Sequence, residues 1–585
     1  MYILGISCYY HDAAAALLKD GIIVAAAEEE RFSRKKHDSS FPIKAIKFCL
    51  ESQNITIKDI AYIGFYEKPL LKLERVLFQH LQMFPWSYKT FLSSLPSWIN
   101  EKLRVPQIIR KKLKYKGDIF FIHHHLAHAA SSFLVSPFEK AAILTVDGVG
   151  EWTTTAYGLG QGNKINLLKE IRFPSSLGLL YSTITGYLGF SINNSEYKVM
   201  GLSPYGLMDR EKNEYYHRLK TIIDVKDDGS YQFDMDYFAY HYKDRMPSPK
   251  LCRLLKGPVR QPESELTQRH KDIAAALQMV TEDIMYRMLN HVYKVTNCEN
   301  LVLGGGVALN SVGNGKILTS TPFKNIWIHP NATDGGNSIG VAAYVYNVIL
   351  GHKRRFVLQS PFLGPEYSTG DIKTFLNKNN IKFRELSRDE IVPQTAKLIN
   401  DNLVIGWFQG RMEWGPRALG ARSILSNPCN QEMQEILNLK VKHREKFRPF
   451  APVVCEDDAL NYFDCDIPIP RPTDFMLMVY PIKKEWRKKI PAVTHVDGSG
   501  RLQTIRREIN PLYYDLIKEF GKISGIPILI NTSFNIRGEP IVCTPEDAYN
   551  CMMGTGIDCL VMDNYLIWRK DNLQHVWDSE KYAKD

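Results

Sequence analysis

The sequence predicts an α/β protein of two domains, the first of them internally duplicated. Three observations predict it. A glycine-punctuated set of three short apolar strands at the N-terminus recurs after residue 140. The chain has 585 residues, more than one hydrophobic core organises. A basic and proline-broken stretch, Gly351 to Pro365, separates that duplicated half from a second α/β pattern.

In the first set, Tyr2–Ile6, Ala13–Leu18 and Ile22–Ala27 read as strands parted by the turn chemistry of His11–Asp12 and Lys19–Asp20–Gly21, and Ile43–Ser52 reads as helical. In the second, Ala141–Val146 ends in Asp147–Gly148, Trp152–Leu159 alternates, and Ile165–Ile171 completes the meander. Duplicated meanders of this kind build the actin-like, sugar-kinase-like ATPase fold, whose β-turns grip nucleotide phosphates. Asp272–Thr296 has the apolar period of a long helix. The strand Asn300–Leu303 follows, then Gly304–Asn310, where three glycines let backbone approach a ligand closely. Gly148, Gly305, Gly306 and Asn310 are therefore the candidate nucleotide-binding residues of this half. Phe78–Asp118 is basic and aromatic and reads as an inserted helical segment with a solvated basic face. Beyond the link, Val404–Phe408 and Ile526–Asn531 read as strands and Ala459–Phe463 as helix. The expected domains are 1–355 and 366–585.

The composition is that of a globular protein, 44% hydrophobic and 23% charged. No apolar run is long enough to span a bilayer, which excludes a membrane-spanning helical protein. The apolar start lacks a basic lead-in and contains His11 and Asp12, so it reads as a core strand and not a signal peptide. Ten scattered cysteines form no C-x-x-C pair and no disulfide framework, which points to a reducing cytoplasm. The net charge of +11 favours anionic partners.

Two regions carry chemistry. Phe121–Ala130 reads as the start of a helix, so His124 and His128 fall one turn apart on one face, the spacing a metal requires. Asp147 ends a core strand, and Asp334 precedes the apolar run Ile339–Ile349 and is expected to cap that helix. Two histidines and two carboxylates suit Fe(II), Mn(II), Zn(II) or Mg(II). The second region is cationic. Gly410–Ser423 sets three arginines among glycines, Lys440–Phe450 adds another block, Arg501 follows Thr494–Asp497, and Asn531–Pro540 ends a buried strand in a polar loop. Arginine grips phosphate in pairs of hydrogen bonds, and glycine frees backbone N–H groups to add to them. Phosphoryl and acyl-phosphate chemistry needs such neutralisation before a nucleophile can approach.

These residues resemble a known family, the O-carbamoyltransferases of antibiotic and nodulation-factor biosynthesis (the NodU and nebramycin-carbamoylating type). The matching pieces run in order along nearly the whole chain. They are Gly5-Ile6, His11–Ala13, Ala27–His37, His124–Ala130, Ser176–Gly178, Lys198–Leu202, Gly304–Asn310, Gly410–Ser423, Phe447–Pro452 and Asn531–Pro540. The resemblance implies an N-terminal actin-like (ASKHA, TsaD-like) duplicated domain and a C-terminal YrdC-like α/β domain. It implies that the C-terminal domain joins carbamoyl phosphate and ATP, giving carbamoyl adenylate and pyrophosphate. The N-terminal domain then transfers the carbamoyl to a hydroxyl of a small-molecule acceptor and releases AMP. By the same resemblance His124, His128, Asp147 and Asp334 hold Fe(II) or another divalent metal, Mg(II) accompanies ATP, and His11 and Lys36 serve the transfer, His11 as the base for the acceptor's proton. Arg417, Lys440, Arg448, Arg501, Asn531, Ser533 and Arg537 belong to the adenylation and carbamoyl-phosphate site. The implied partners are ATP, carbamoyl phosphate and the acceptor, with neither nucleic acid nor membrane; a homodimer is compatible. Ser176–Phe190 and Lys198–Tyr205 are expected to line the acceptor pocket. Two other readings stand beside this one: a tRNA-modifying enzyme of the threonylcarbamoyl type, which the basic charge favours, and a non-catalytic nucleotide-binding protein, which would have lost the ligand residues this sequence keeps.

Overall fold

A computed structural model describes residues 1–573. The chain divides into two compact units, one formed by Met1–Glu29 and His37–Leu358, the other by Glu30–Lys36 and the residues from Gln359 onward. The division falls between Leu358 and Gln359, inside the stretch that the prolines mark. Sequence reading missed that Glu30–Lys36 leaves the N-terminal unit and packs with the C-terminal one.

The N-terminal unit holds two five-stranded sheets of the same topology. In the first, β1 (Tyr2–Ser7), β2 (Ala14–Lys19) and β3 (Ile22–Glu28) form an antiparallel meander. Strands β4 (Ile60–Phe65) and β5 (Asp118–Phe121) add in parallel beyond β1, giving the order β3-β2-β1-β4-β5. In the second, β6 (Lys140–Val146), β7 (Thr153–Gln161) and β8 (Lys164–Arg172) form the meander. A separate hairpin, β9 (Ile223–Val225) and β10 (Tyr231–Phe233), precedes the parallel pair β11 (Asn300–Gly304) and β12 (Asn325–Ile328). The order β12-β11-β6-β7-β8 repeats that of the first sheet strand for strand. This is the duplicated actin-like fold. Every residue of β2 but its last is buried, so the sheet needs cover on both faces.

That cover positions the site. The helix Asn337–Tyr344 lies against β1, β2 and the helix His124–Phe133. A Cβ on Gly340 would stand 2.3 Å from the carbonyl oxygen of Ala127, so only glycine lets these two helices cross at this distance. The insert between β4 and β5 is helical, with helices Pro69–Gln82, Tyr88–Asn100 and Val105–Leu113. Arg110, Lys111 and Lys112 are exposed, as the basic face expected of this insert requires, and Leu70, Leu81, Phe84 and Trp86 are each more than two-thirds exposed as well.

The C-terminal unit carries a nine-stranded mixed sheet. Its strands are β13 (Arg384–Glu385), β14 (Ile405–Phe408), β15 (Arg422–Ser426), β16 (Ala451–Cys455), β17 (Met478–Pro481), β18 (Ser499–Ile505), β19 (Ile528–Ser533), β20 (Cys559–Met562) and β21 (Tyr565–Trp568). They lie in the order β13-β21-β20-β14-β15-β19-β16-β18-β17. The helices Arg388–Asn400 and Pro511–Ser524 pack on it around a core that includes Trp407, Tyr513, Phe520 and Leu529. None of the helices among the described residues is long and apolar enough to cross a membrane.

Candidate functional site

The ends of β6 and β11 and the starts of two helices converge on four side chains. His124 opens its helix, and both carboxylate oxygens of Glu151 accept its backbone N–H at 3.1 Å, serving one of the donors a helix start leaves unpaired. The helical repeat then stacks His128 on the same face. Asp147 is the first residue after β6. Its Oδ1 accepts the Gly306 N–H at 2.9 Å, which turns Oδ2 towards the histidines. Gly305 makes this turn possible, since its φ is +87° and a Cβ would lie 2.2 Å from the Val146 carbonyl oxygen. Asp334 does not cap its helix as expected; the Thr333 hydroxyl does so by accepting the Gly335 N–H, which leaves the Asp334 carboxylate to face His124 and His128.

The distances within the cluster are short. His124 Nε2 is 3.1 Å from His128 Nε2, 3.2 Å from Asp147 Oδ2 and 3.5 Å from Asp334 Oδ1. His128 Nε2 is 3.4 Å from Asp334 Oδ1 and 3.9 Å from Asp147 Oδ2. All four residues are buried. Donors about 2.1 Å from a common ion lie roughly 3.0–3.4 Å apart at octahedral or tetrahedral angles, so this set fits a divalent cation. Asp334 Oδ2 has no hydrogen-bond partner among the described residues, which leaves that carboxylate underused without a cation. Burial opposes charge on His124, but Asp334 and Asp147 outweigh it and raise its pKa to about 9. Burial likewise opposes charge on Asp147, yet the two histidines hold its carboxyl well below the usual range.

The turn residues surround this cluster. The Gly148 carbonyl accepts the Ser176 hydroxyl at 2.6 Å, and a Cβ on Gly148 would meet little. Asn310 is engaged within the protein: its side chain exchanges hydrogen bonds with Gln278 and accepts the Gly313 N–H. That is a helix-capping role.

A second group lies where β1 gives way to β2. Asp12 binds His11 Nδ1 at 2.9 Å and His37 Nδ1 at 2.8 Å, one carboxylate oxygen each. His37 Nε2 meets Asn194 Oδ1 at 2.8 Å, and His11 Nε2 is bonded to the Asn193 carbonyl oxygen. Burial works against a charged His11, but Asp12 overrides it and raises the pKa to about 10. An imidazolium that donates from both nitrogens cannot accept a proton, so this charge state differs from the one the expected base needs. Lys36 is half-buried in a turn and belongs to the C-terminal unit.

In the C-terminal unit the loop before β15 wraps around an anion of its own. Buried Glu413 Oε1 accepts the backbone N–H groups of Leu419, Ala421 and Arg422 at 2.7–3.0 Å. Arg422 is fully buried and donates to the carbonyls of Gln409 and Pro365 over the Phe408 ring. Much of this glycine-rich segment is therefore architecture. Asn531 ties the loop to the sheet, donating to the Ala418 carbonyl and to Gln503 Oε1. Arg417, Arg448, Arg501 and Arg537 are half-buried, with Arg448 3.7 Å from Glu445.

Two lysines of this region differ in placement. Lys440, expected in the adenylation site, is exposed, and its backbone carbonyl accepts the Gly556 N–H. Lys442 is buried instead, its ammonium bonded to the Ser533 carbonyl, to the Asn535 carbonyl at 2.9 Å and to Asn535 Oδ1 at 3.0 Å. Burial, with the nearby Arg444 charge, pushes its pKa well below the ordinary lysine value. A π-type turn over Leu437–Val441 alters the rotation per residue just before Lys442. Arg34 was missed as well: it donates to the carbonyls of Ile541 and Pro540 and pairs with Glu539 at 3.0 Å, fixing the loop after β19.

A duplicated actin-like unit with a buried histidine–aspartate cluster is joined in one chain to a mixed-sheet unit that buries Arg422 and Lys442; the families it matches make the chain a group-transfer enzyme. The family comparisons make this specific. The Carbamoyltransferase N-terminus family matches residues 2–343 and the Carbamoyltransferase C-terminus family matches residues 396–569, so the chain belongs to the carbamoyltransferases. A Synechocystis sp. protein of uncharacterised function, sll1178, is 44% identical over 99% of this chain and 98% of its own length. Nodulation protein NolNO of Sinorhizobium fredii is 37% identical over 94% of this chain and 77% of its own. Among solved structures, HypF of T. kodakarensis matches 58% of this chain and 47% of its own, at 15% identity and a TM-score of 0.31.

Proposed function

We propose that this enzyme is an ATP-dependent O-carbamoyltransferase working through carbamoyl adenylate. The observation that carries the proposal is the convergence of His124, His128, Asp147 and Asp334 at 3.1–3.9 Å in a chain of the carbamoyltransferase family. The C-terminal unit, taken as YrdC-like, activates the carbamoyl group. Carbamoyl phosphate, ATP and one water give carbamoyl adenylate, pyrophosphate and phosphate. Arg417, Arg448, Arg501 and Arg537 neutralise the anions, and Lys442 with Ser533 and Asn535 places the carbamoyl unit. The N-terminal unit performs the transfer: the acceptor oxygen bonds to the carbamoyl carbon, the bond to the AMP oxygen breaks, and AMP and a proton are released.

The four ligands would hold a divalent metal, Fe(II) being one that such a set suits, and that ion supplies Lewis acidity to a bound acyl phosphate. Gly148, Gly305 and Gly306 present backbone to the nucleotide phosphate. His11, charged and fixed by Asp12, contributes positive charge against developing negative charge. The acceptor is a small molecule bearing a hydroxyl, a natural product or a sugar.

Incubation with ATP, carbamoyl phosphate and labelled pyrophosphate tests the activation step. Label enters ATP only when carbamoyl phosphate is present. No incorporation with Mg(II) and the ligand-site metal supplied would refute the adenylate route.

A further inference from the structure

One buried cation of the N-terminal unit is used by nothing described so far. The insert helix Pro69–Gln82 turns Lys72 and Arg75, one turn apart, towards the protein interior, where they are 2% and 6% exposed. Lys72 is satisfied: it pairs with buried Glu67 at 2.5 Å and lies over the Tyr10 ring at 4.2 Å. Arg75 is not. Its guanidinium forms no hydrogen bond or ion pair with the described residues, its Nε is buried without a partner, and it lies over the face of Phe173 at 4.9 Å. A cation–π contact is worth about 2 kcal/mol when desolvated and does not replace the hydrogen bond that the buried Nε lacks.

The nearest acidic groups are committed elsewhere. Glu67 holds Lys72, and Glu151 accepts the backbone N–H groups of Lys68 and His124. A buried charge left without a partner is strongly destabilising, so the fold retains Arg75 at a cost. Its location says what for. Glu151 joins the start of the Arg75 helix to the start of the His124 helix. Tyr10, 36% exposed and next to His11 in the chain, lies against the same helix through the Lys72 ammonium over its ring.

We propose that Arg75 is the anion-binding residue of an acceptor subsite: the hydroxyl-bearing acceptor carries an oxyanion group, which the guanidinium grips beside the histidine–aspartate cluster. This deepens the transfer reading and rests on it for the identity of the ligand as acceptor. Arginine presents two parallel donors to a carboxylate, sulfate or phosphate. Tyr10 and Phe173 offer flat apolar faces on which the body of a sugar or aromatic acceptor packs.

The test uses the full-length protein without ATP or carbamoyl phosphate, so its outcome is independent of whether the adenylate chemistry holds. Sulfate, phosphate and acetate are titrated at constant ionic strength against the wild type, Arg75→Met and Arg75→Lys, following the melting temperature. The wild type shows a saturable rise that Arg75→Met lacks and Arg75→Lys keeps with at least a tenfold weaker midpoint. Sulfate and phosphate acting alone identify a sulfated or phosphorylated acceptor; acetate acting as well identifies a carboxylate. Arginines of the C-terminal unit contribute equally to all three proteins, so the difference between titrations is the readout. Selenate soaked into crystals gives an anomalous peak on the Arg75 guanidinium, a result that needs no variant to fold. Identical titrations for wild type and Arg75→Met, or selenate bound elsewhere but not at Arg75, would overturn the assignment.

Discussion

His124 and His128 point their Nε2 atoms at one another across 3.1 Å, with carboxylate oxygens of Asp147 and Asp334 no more than 3.9 Å from either. Two acceptor nitrogens at that distance repel unless a proton or a cation lies between them. The purified protein is expected to hold about one divalent ion per chain, and His128→Ala, which removes one of the four ligands, to lose most of it, by elemental analysis. His128→Ala abolishes carbamoyl transfer and leaves carbamoyl-phosphate-dependent pyrophosphate exchange in place. Loss of both activities would show that the half-reactions are not divided between the units.

The crossing at Gly340 holds Asp334 and the two histidines in register. Gly340→Ala puts a Cβ 2.3 Å from the Ala127 carbonyl and forces the two helices apart. The overpacking is expected to cost about 1–3 kcal/mol in chemical denaturation. Metal affinity falls further than stability does, because the displaced helix carries one ligand of four. Metal retention equal to wild type at a lowered stability would separate the crossing from the site.

His11 and Asp12 give a pH signature. The folded pKa of His11, about 10, lies above its ordinary value of 6.5. A raised histidine pKa stabilises the fold fully below about pH 6.5, and that contribution is lost as pH rises from there through about 10. Asp12→Asn removes the carboxylate that holds the imidazolium, so His11 titrates closer to 6.5 and the stability no longer declines across this alkaline window. Imidazole nitrogen shifts in NMR, read against pH, follow both changes. A His11 titration unchanged in Asp12→Asn would rule out Asp12 as the cause.

Lys440 and Lys442 lie two residues apart and are expected to behave oppositely. Lys442→Met removes a buried cation whose pKa is depressed but takes their ammonium donor from the Ser533 and Asn535 oxygens, so the two effects on stability oppose one another and the readout is pyrophosphate exchange, which is lost. The sign of the charge effect follows from linkage: a depressed lysine pKa destabilises the fold wherever the unfolded chain would be charged, and the penalty fades as pH approaches 10.5. Lys440→Ala, at an exposed position, leaves exchange near the wild-type rate. Exchange lost in Lys440→Ala and kept in Lys442→Met would favour Lys440, the residue the family resemblance implies.

Glu413 binds three backbone N–H groups with one oxygen. Glu413→Ala leaves those donors buried and unpaired, at about 1–3 kcal/mol each. A melting temperature several degrees lower, with exchange falling alongside it, is the expected result; an unchanged melting temperature would show that the loop does not depend on this carboxylate.

The two meanders, the helix bearing His124 and His128 and the proline-broken division were legible in the sequence, because each is a local matter of hydrophobic period, turn residues and breakers. The four candidate ligands were legible because helical spacing and the ends of buried elements follow from local pattern. Whether four residues spread from 124 to 334 meet at a point does not, since that depends on two helices crossing at Gly340 and on the turn that Gly305 permits. The same limit explains why Lys440 is exposed and Lys442 buried, where equal charges two residues apart are separated by the end of a π-type turn. It explains why Glu30–Lys36 leaves its own unit, why Glu413 takes up amides that a glycine-rich loop seemed to offer a ligand, and why Asp12 charges His11. Sequence by itself determined which elements form and what chemistry they carry. Tertiary structure decided which charges are desolvated and which meet, because burial and distance, on which a buried ion's energy depends, are properties of the packed chain.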